Sequence, residues 1–244
     1  MKRALCALFV LSLALAVRAE EPASADPEAR ALLDEAIAAA NAVRSVRLSA
    51  EIMPTGAAVN FMPASEGTSV KVGWRRSLPA KFLSRVSTWK PGSDEKTELT
   101  GGGDGDTYFL IDHVTKKAYA DMDPLVMGSG GYTLQTLGMN DFVSDTPFEN
   151  EQKARELELE GEEEIDGEPC LKLRAVYGDG QEAVWYFSKA DKLPRKSVYF
   201  FSGAMGEGSY SNTITKLEID PEVDADLFTF QLPGGYEQID DFAP

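Results

Sequence analysis

The feature that most constrains the fold of this chain is a series of short alternating segments in its second half. Five segments of strand length follow one another, at Arg155–Glu163, Glu168–Tyr177, Glu182–Lys189, Arg195–Ser202 and Ser211–Asp220. Two of the connections contain Asp166-Gly167 and Asp179-Gly180, pairs that accept the positive backbone angles of tight hairpin turns. Strands joined by short turns pair with their neighbours along the chain, so this region predicts a five-stranded antiparallel meander.

The sequence before the meander predicts one helix and then further strands. Asp26 suits the N-cap, Pro27 suits the first helical position, and apolar residues recur at helical spacing as far as Val43. Three segments with apolar residues at every second position are then predicted to be strands, at 46–52, 70–74 and 82–89. We expect the segment Pro54–Gly67 to be a long loop between the first two of these strands.

A glycine-rich turn at Gly101–Gly105 is predicted to open a hairpin with strands at Thr107–Ile111 and Lys117–Met122. The next segment, Pro124–Phe148, combines flexible glycines with spaced apolar residues. We expect this segment to form a short helix or an ordered lid.

The amino terminus has the pattern of a secretory signal peptide. Two basic residues precede the apolar run Ala4–Val17, and small residues mark a cleavage site near Ala19. The run is shorter than the ~20 residues that a spanning helix needs, so we expect a protein that does not span the membrane. The sequence thus predicts a periplasmic or secreted protein, with a disordered leader at 20–27 and one domain at 28–244.

The charge balance excludes some classes of partner. The chain has a formal net charge of −16, and the predicted signal peptide removes bases but no acids. Nucleic acid and anionic lipid headgroups both require basic surface, so neither is an expected partner. The acidic run Glu156–Glu168 serves either to keep the domain soluble or to bind a cationic protein partner.

The sequence predicts no enzyme, cofactor or metal site. A hydrolase would depend on His113, the single histidine, which lies in a predicted surface turn without a nucleophile-elbow pattern. Calcium is disfavoured because the aspartates near Gly101–Gly105 lack the terminal glutamate of a calcium loop. Cys170 is the one cysteine left after cleavage, so no disulfide within the chain is expected, and it is predicted to be a small buried apolar residue.

The order of these elements resembles the lipoprotein-carrier-like (LolA/LolB/RseB-like) family, and in particular its outer-membrane lipoprotein-sorting relatives. The stretches that carry the resemblance are GDGDTYFLIDHVTKKAYA, EEIDGEPCLKLRAVYGDG with VWYFSKADKLPRKSVYF, and VDADLFTFQLPGGY, which resembles the family's closing strand. The resemblance implies an α+β fold. In this fold an incomplete antiparallel β-barrel, a strongly curved half-barrel sheet, packs over an N-terminal helix and a lid helix or loop.

The same resemblance implies a function. It points to a periplasmic carrier of lipid or of the acyl chains of lipoproteins, held in an apolar cavity under the sheet. The alternative is an envelope sensor or protein-interaction module with the same fold and no enzymatic activity. The family also uses an arginine to hold the lid closed, and Arg75 or Arg76 matches its position, with Arg76 preferred.

The residues themselves support a cavity. Two of the predicted strands, around Trp185 and Tyr199, are apolar on both faces, so we expect a helix to cover one face and a ligand to cover the other. Aromatic residues on strands usually belong to the core, and the cavity hypothesis competes with that reading. The residues predicted to line the cavity are Trp74, Phe82, Leu134, Leu137, Trp185, Phe187, Tyr199 and Phe201.

Overall fold

Thirteen strands form one sheet in this computed structural model, which describes residues 24–73, 81–120, 142–178, 180–204 and 206–240. The first seven strands are β1 (Ser24–Ala25), β2 (Ser45–Gly56), β3 (Ala64–Val72), β4 (Lys81–Trp89), β5 (Lys96–Gly103), β6 (Tyr108–Asp112) and β7 (Lys117–Tyr119). The other six are β8 (Glu156–Ile165), β9 (Glu168–Gly178), β10 (Gln181–Ser188), β11 (Pro194–Gly203), β12 (Gly206–Ile219) and β13 (Glu237–Gln238).

The strand order is β1-β8-β9-β10-β11-β12-β2-β3-β4-β5-β6-β7-β13. Neighbouring strands are antiparallel, except that the two-residue strands at the ends, β1 and β13, pair in parallel with β8 and β7. The predicted meander is confirmed as β8–β12, and the pairing of β12 with β2 joins it to the first half of the chain. Among the described strands, the two at the ends of the sheet do not pair with each other, so the sheet is open, as the half-barrel prediction requires.

One core lies against one face of this sheet, which we call the inner face. Leu173 of β9 and Leu110 of β6 belong to the same buried cluster, together with the apolar face of the helix. In a flat sheet these two strands would lie about 38 Å apart, at ~4.8 Å for each of the intervening strand spacings. The sheet therefore curves around its core, and the α+β prediction with a curved, incomplete barrel is confirmed.

The helix that covers the inner face is α1 (Pro27–Ala42). Its N-cap is Asp26, whose carboxylate accepts a hydrogen bond from the backbone N–H of Glu28 at 3.0 Å. The buried residues recur on one face at Ala29, Leu32, Leu33, Ala36 and Ala40. Cap, proline and apolar spacing are local signals, and the predicted helix is confirmed within a residue or two of its ends.

The predicted loop Pro54–Gly67 is wrong. Strand β2 continues to Gly56, a short 3-10 helix spans Ala57–Asn60, and β3 begins at Ala64. Proline suggested a break in the strand, but Pro54 lies beyond the part of β2 that pairs with β3, and an unpaired strand edge tolerates proline.

The predicted glycine turn at Gly101–Gly105 is also wrong for its first three residues, which lie at the end of β5. Sequence reasoning missed this strand because glycine usually marks a turn. The glycines here allow close packing, since a Cβ atom at Gly102 would collide with the ring of Phe109. The turn itself begins at Asp104, and the following hairpin β6–β7 is confirmed.

The stretch VDADLFTFQLPGGY does not form the predicted closing strand. Residues Ala225–Phe228 form a 3-10 helix, whose N-cap Asp224 accepts a hydrogen bond from the backbone N–H of Asp226. Phe230 then packs on Phe109 with ring centroids 5.5 Å apart, and β13 follows as a two-residue strand. Side-chain capping stabilises a turn where the resemblance had implied a strand.

Most of the predicted lid segment, residues 124–141, lies outside the described part of the chain. Its last residues are described, and Phe142, Val143 and Phe148 are buried. They lead into α2 (Glu149–Gln152), a single helical turn that precedes the meander.

Candidate functional site

A pocket of about 460 Å³ opens on the inner face, at the end of the sheet where β9–β12 turn. Half of the described residues that line it are aromatic. Those on the inner face come from the loop after β2 and from three strands of the meander, and they are Phe61, Tyr177, Tyr199, Phe201 and Tyr210, whereas Phe200 shares the outer face with Val198. The other described residues of the wall are small or polar and include Gln181, Glu182 and Ser202.

Strand alternation and register bring these rings together. Tyr199 and Phe201 are two residues apart on β11 and share a face, and Tyr210 of β12 lies directly opposite Tyr199. The rings of Tyr199 and Tyr210 stack with centroids 5.0 Å apart. Phe61 lies over Phe201 at 5.5 Å, and 54% of its surface is exposed. Gly208 leaves room for this arrangement, because a Cβ atom there would lie 2.6 Å from the ring of Phe201.

A buried carboxyl group fixes the wall from behind. Glu151 of α2 is fully buried, and its Oε1 accepts hydrogen bonds from the hydroxyl of Tyr177 at 2.5 Å and from the indole N–H of Trp185 at 2.9 Å. Phe148 precedes α2 in a left-handed conformation and packs edge-on against Trp185 and Phe187. The ring of Tyr177 is therefore held in place from the core side, with its hydroxyl satisfied.

The structure separates the predicted cavity residues into three groups. Tyr199 and Phe201 line the pocket. Trp185 and Phe187 are fully buried in the core beneath Phe148, and Phe82 is half-buried on β4 in the other half of the sheet. Outside the described residues lie Trp74, Leu134, Leu137 and the two candidate lid-holding residues, Arg75 and Arg76. The ligand-binding role of all these residues stays a prediction.

Sequence reasoning missed Phe61, Tyr177, Tyr210 and Glu151. Tyr177 ends a predicted strand, so alternation could have assigned its face, whereas Tyr210 precedes the predicted strand Ser211–Asp220 and belongs to β12 because this strand begins earlier, at Gly206. Phe61 fell in the predicted loop, and Glu151 carries no local signal, since a lone glutamate before an acidic strand normally faces water.

The opposite, outer face of the meander is covered by the protein itself. Val184 and Tyr186 of β10 pack there with Ile165 and Cys170 in a small separate cluster. A ligand was expected on one face of these strands, and this cluster leaves the inner face as the candidate for it. Burial raises the pKa of the Cys170 thiol to about 11, so the thiol stays protonated at neutral pH.

The outer face also carries the acidic run that was predicted to keep the domain soluble or to bind a cationic partner. Its acids alternate along β8 and pair with bases of β9, with Arg174 lying 3.6 Å from Glu158 and Lys172 lying 3.6 Å from Glu163. Arg174 also donates to Glu182 of β10 at 2.5 and 3.0 Å. These pairs support the hairpin, and a role in binding a partner stays a prediction.

His113 lies in the turn after β6 and is half-buried. Its Nε2 is 2.8 Å from the hydroxyl of Thr100, and its Nδ1 is 3.0 Å from the hydroxyl of Tyr236. The imidazole thus links β5 to the C-terminal segment. Burial, followed by the charge of Arg85, lowers the pKa of His113 below its ordinary value, while Glu98 and Asp112 oppose the shift.

This shift predicts a pH dependence of stability. The unfolded chain takes up a proton on His113 more readily than the folded chain, so the stability is present above the unfolded pKa and is lost as the pH falls through the folded pKa. Between pH about 8 and about 5.5, wild-type protein should lose more free energy of unfolding than the variant His113→Gln. Urea denaturation at both pH values measures this difference. An equal or larger loss in the variant would contradict the assignment.

Comparison with known proteins identifies solved structures that are similar to this one. No curated protein matches the chain. Among solved structures, LprF from Mycobacterium bovis is 13% identical with a TM-score of 0.53, and the match covers 87% of this chain and 99% of LprF. The lipoprotein LppX from Mycobacterium tuberculosis is 12% identical with a TM-score of 0.48, covering 82% of this chain and all of LppX. The MucA/MucB complex from Pseudomonas aeruginosa is 13% identical with a TM-score of 0.44, covering 84% of this chain and 61% of that one.

At such low identity the likeness to LprF shows the fold alone, and this fold agrees with the α+β fold that the resemblance implied. Among the helices of the described residues, none combines the length and the apolar composition that crossing a membrane requires. The family DUF2092, described as a predicted periplasmic protein, matches residues 113–241, which is more than half of the chain and includes β7–β13. The chain therefore belongs to the DUF2092 family of periplasmic proteins.

Proposed function

We propose that this protein is a periplasmic binding protein or carrier for an apolar ligand, such as a lipid or the acyl chain of a lipoprotein. The observation that supports this most is the aromatic pocket on the inner face. Its volume of about 460 Å³ lies within the range of small-molecule sites, which are mostly apolar with a few placed polar groups.

The pocket wall suits an apolar guest for energetic reasons. Phe61 is 54% exposed, and a ligand lying against its ring would remove part of that area from solvent. Burying eight methylene groups of an alkyl chain would contribute about 6 kcal/mol, at ~0.8 kcal/mol each. Ordering the chain and the side chains opposes part of this gain, so we expect dissociation constants of about 10 μM to 1 mM.

The wall is also largely preorganised. The hydrogen bond from Tyr177 to Glu151 and the stack of Tyr199 on Tyr210 hold three rings in position before a ligand arrives. Preorganisation lowers the entropy cost of binding, which favours a site that takes up and releases a ligand without refolding.

The experiment that tests this function is titration with the neutral fluorescent probe N-phenyl-1-naphthylamine. Wild-type protein should bind it saturably, with a stoichiometry near one. Phe201→Glu should weaken binding by about thirtyfold or more, because an unpaired carboxylate in an apolar pocket is strongly disfavoured. Phe61→Glu should do the same at a position whose exposure makes unfolding of the variant an implausible cause.

The matched control is Leu232→Glu, which adds the same charge at an exposed apolar residue outside the pocket wall. It should bind the probe as wild type does, and circular dichroism should show all variants folded. Unchanged binding by folded Phe201→Glu would disprove this pocket as the site. If wild-type protein takes up no probe, the carrier function fails and the sensor or interaction module becomes the better account.

A further inference from the structure

The described residues that line the pocket include no base, although the guanidinium of Arg155 lies nearby against Gly178. Among the described residues that line it, Glu182 is the single charged side chain, and none is basic. The remaining polar groups are the hydroxyls of Tyr177, Tyr199, Tyr210 and Ser202, the side-chain amide of Gln181, and backbone. A fatty acid or an anionic phospholipid would bring a negative head to this wall, and the described wall has no lysine or arginine to pair with it.

Aromatic rings have the opposite preference. The faces of tyrosine and phenylalanine rings carry negative potential and attract cations within about 6 Å of the ring centre, and quaternary ammonium groups are recognised in cages of such rings. Phe61, Phe201, Tyr199 and Tyr210 form two ring pairs at 5.5 and 5.0 Å on adjacent parts of one wall, and Tyr177 lies in the same wall.

One buried acid strengthens this preference. The hydroxyl of Tyr177 donates a hydrogen bond to the buried carboxyl group of Glu151, and this bond increases the electron density on the ring. Glu182 alternates with the core residue Ala183 and is salt-bridged to Arg174 on the outer face, so it does not contribute to this preference. The whole chain has a net charge of −16, which adds a long-range attraction for cations.

We infer that the ligand of this pocket is an amphiphile with an ammonium head, above all a quaternary ammonium, and not one with a carboxylate or phosphate-only head. The head lies against the aromatic wall and the alkyl chain provides the apolar contact area. This inference rests on the proposed function and deepens it by naming the class of ligand.

The test is competition against N-phenyl-1-naphthylamine by two amphiphiles of equal chain length, dodecyltrimethylammonium and dodecanoate, each below its micelle concentration. The ammonium compound should bind about tenfold more tightly than the carboxylate. Tetramethylammonium, which has the head without the chain, should compete far more weakly. The titrations are repeated at about 0.15 M and about 1 M salt, because salt screens the long-range attraction and leaves close contacts with the rings.

Two variants distinguish the contribution of the aromatic wall to this preference from the contribution of general electrostatics. Phe61→Leu removes one ring face but keeps an apolar side chain, so the ratio of ammonium to carboxylate affinity should fall about threefold. Glu51→Gln removes one negative charge at an exposed position on β2 that does not line the pocket, and it should leave the ratio unchanged.

Each outcome decides the matter. If dodecanoate binds as tightly as the ammonium compound while the neutral probe still binds, the inference is overturned and the proposed function stands. If the preference disappears in high salt, or falls equally in Phe61→Leu and Glu51→Gln, the aromatic wall is not its cause. If tetramethylammonium competes as well as the long-chain compound, the ligand is a free ammonium solute and the amphiphile class is wrong. If neither amphiphile nor the neutral probe binds, the proposed function fails as well.

Discussion

Replacing Trp185 with alanine is expected to destabilise the protein by about 4 kcal/mol, the range observed for large buried aromatic residues. Trp185 is fully buried, stacks on Phe187 at 5.9 Å and meets Phe148 edge-on at 5.1 Å. Its indole N–H also donates to Glu151, so truncation removes a hydrogen bond to a buried carboxyl group as well as creating a cavity. Urea denaturation followed by circular dichroism measures the change in the free energy of unfolding.

Two further variants make this prediction specific. Trp185→Phe keeps much of the ring volume and loses the N–H donor, so its loss should be clearly smaller than that of the alanine variant. Val114→Ala truncates a residue that is 60% exposed, and it should change stability by less than about 0.5 kcal/mol. A loss below about 2 kcal/mol for Trp185→Ala would show that the core under Phe148 is not packed as described.

The second large effect is expected for Arg195→Ala, which should lower the free energy of unfolding by about 2–3 kcal/mol. The guanidinium donates to both carboxylate oxygens of Glu168, at 2.7 and 2.9 Å, and to Asp191 at 2.7 Å. Its side chain is 12% exposed, so water replaces these bonds poorly after truncation, and two carboxylates lose their shared counter-charge. Arg195→Lys should recover only part of the loss, because an ammonium group cannot bond both oxygens in the same plane.

The stability that this ion pair provides should depend on pH. Hydrogen bonding from Arg195 lowers the pKa of Glu168 below its ordinary value of 4.5. The stability from this pair is therefore present above the unfolded pKa of Glu168 and is lost as the pH falls through the lower folded pKa. The difference in the free energy of unfolding between wild type and Arg195→Ala should therefore become smaller at acidic pH. The control Lys216→Ala removes an exposed partner of Glu218 and should cost no more than about 0.5 kcal/mol. An equal cost for the two variants would argue that Arg195 acts as an ordinary surface charge.

These two positions contribute to the candidate site in different ways. Trp185 holds Glu151, which in turn holds Tyr177 in the pocket wall. Arg195 lies at the start of β11, the strand that carries Tyr199 and Phe201, and ties that end of the strand to the β8–β9 turn. The pocket is thus supported by groups that do not line it.

The elements whose signals are local were predicted well. The helix α1 has its cap, proline and apolar stripe within one sequence window, and the meander β8–β12 has alternating residues and short turns. The wrong predictions concern segments whose local sequence is compatible with both a strand and a turn. Glycines at the end of β5 looked like a turn, Pro54 looked like the end of a strand, and the capped segment at Asp224 looked like a strand.

The sequence by itself determined the fold class, the meander and the identity of two pocket residues, Tyr199 and Phe201, because alternation within a strand is enough to assign a face. Only the tertiary structure decided that Tyr177, Tyr210 and Phe61 complete the wall and that Glu151 is buried behind it. The reason is the range of the contacts involved. Pairing of β12 with β2 joins residues more than 150 positions apart, and the register and curvature of such a pair depend on packing of the whole sheet around α1.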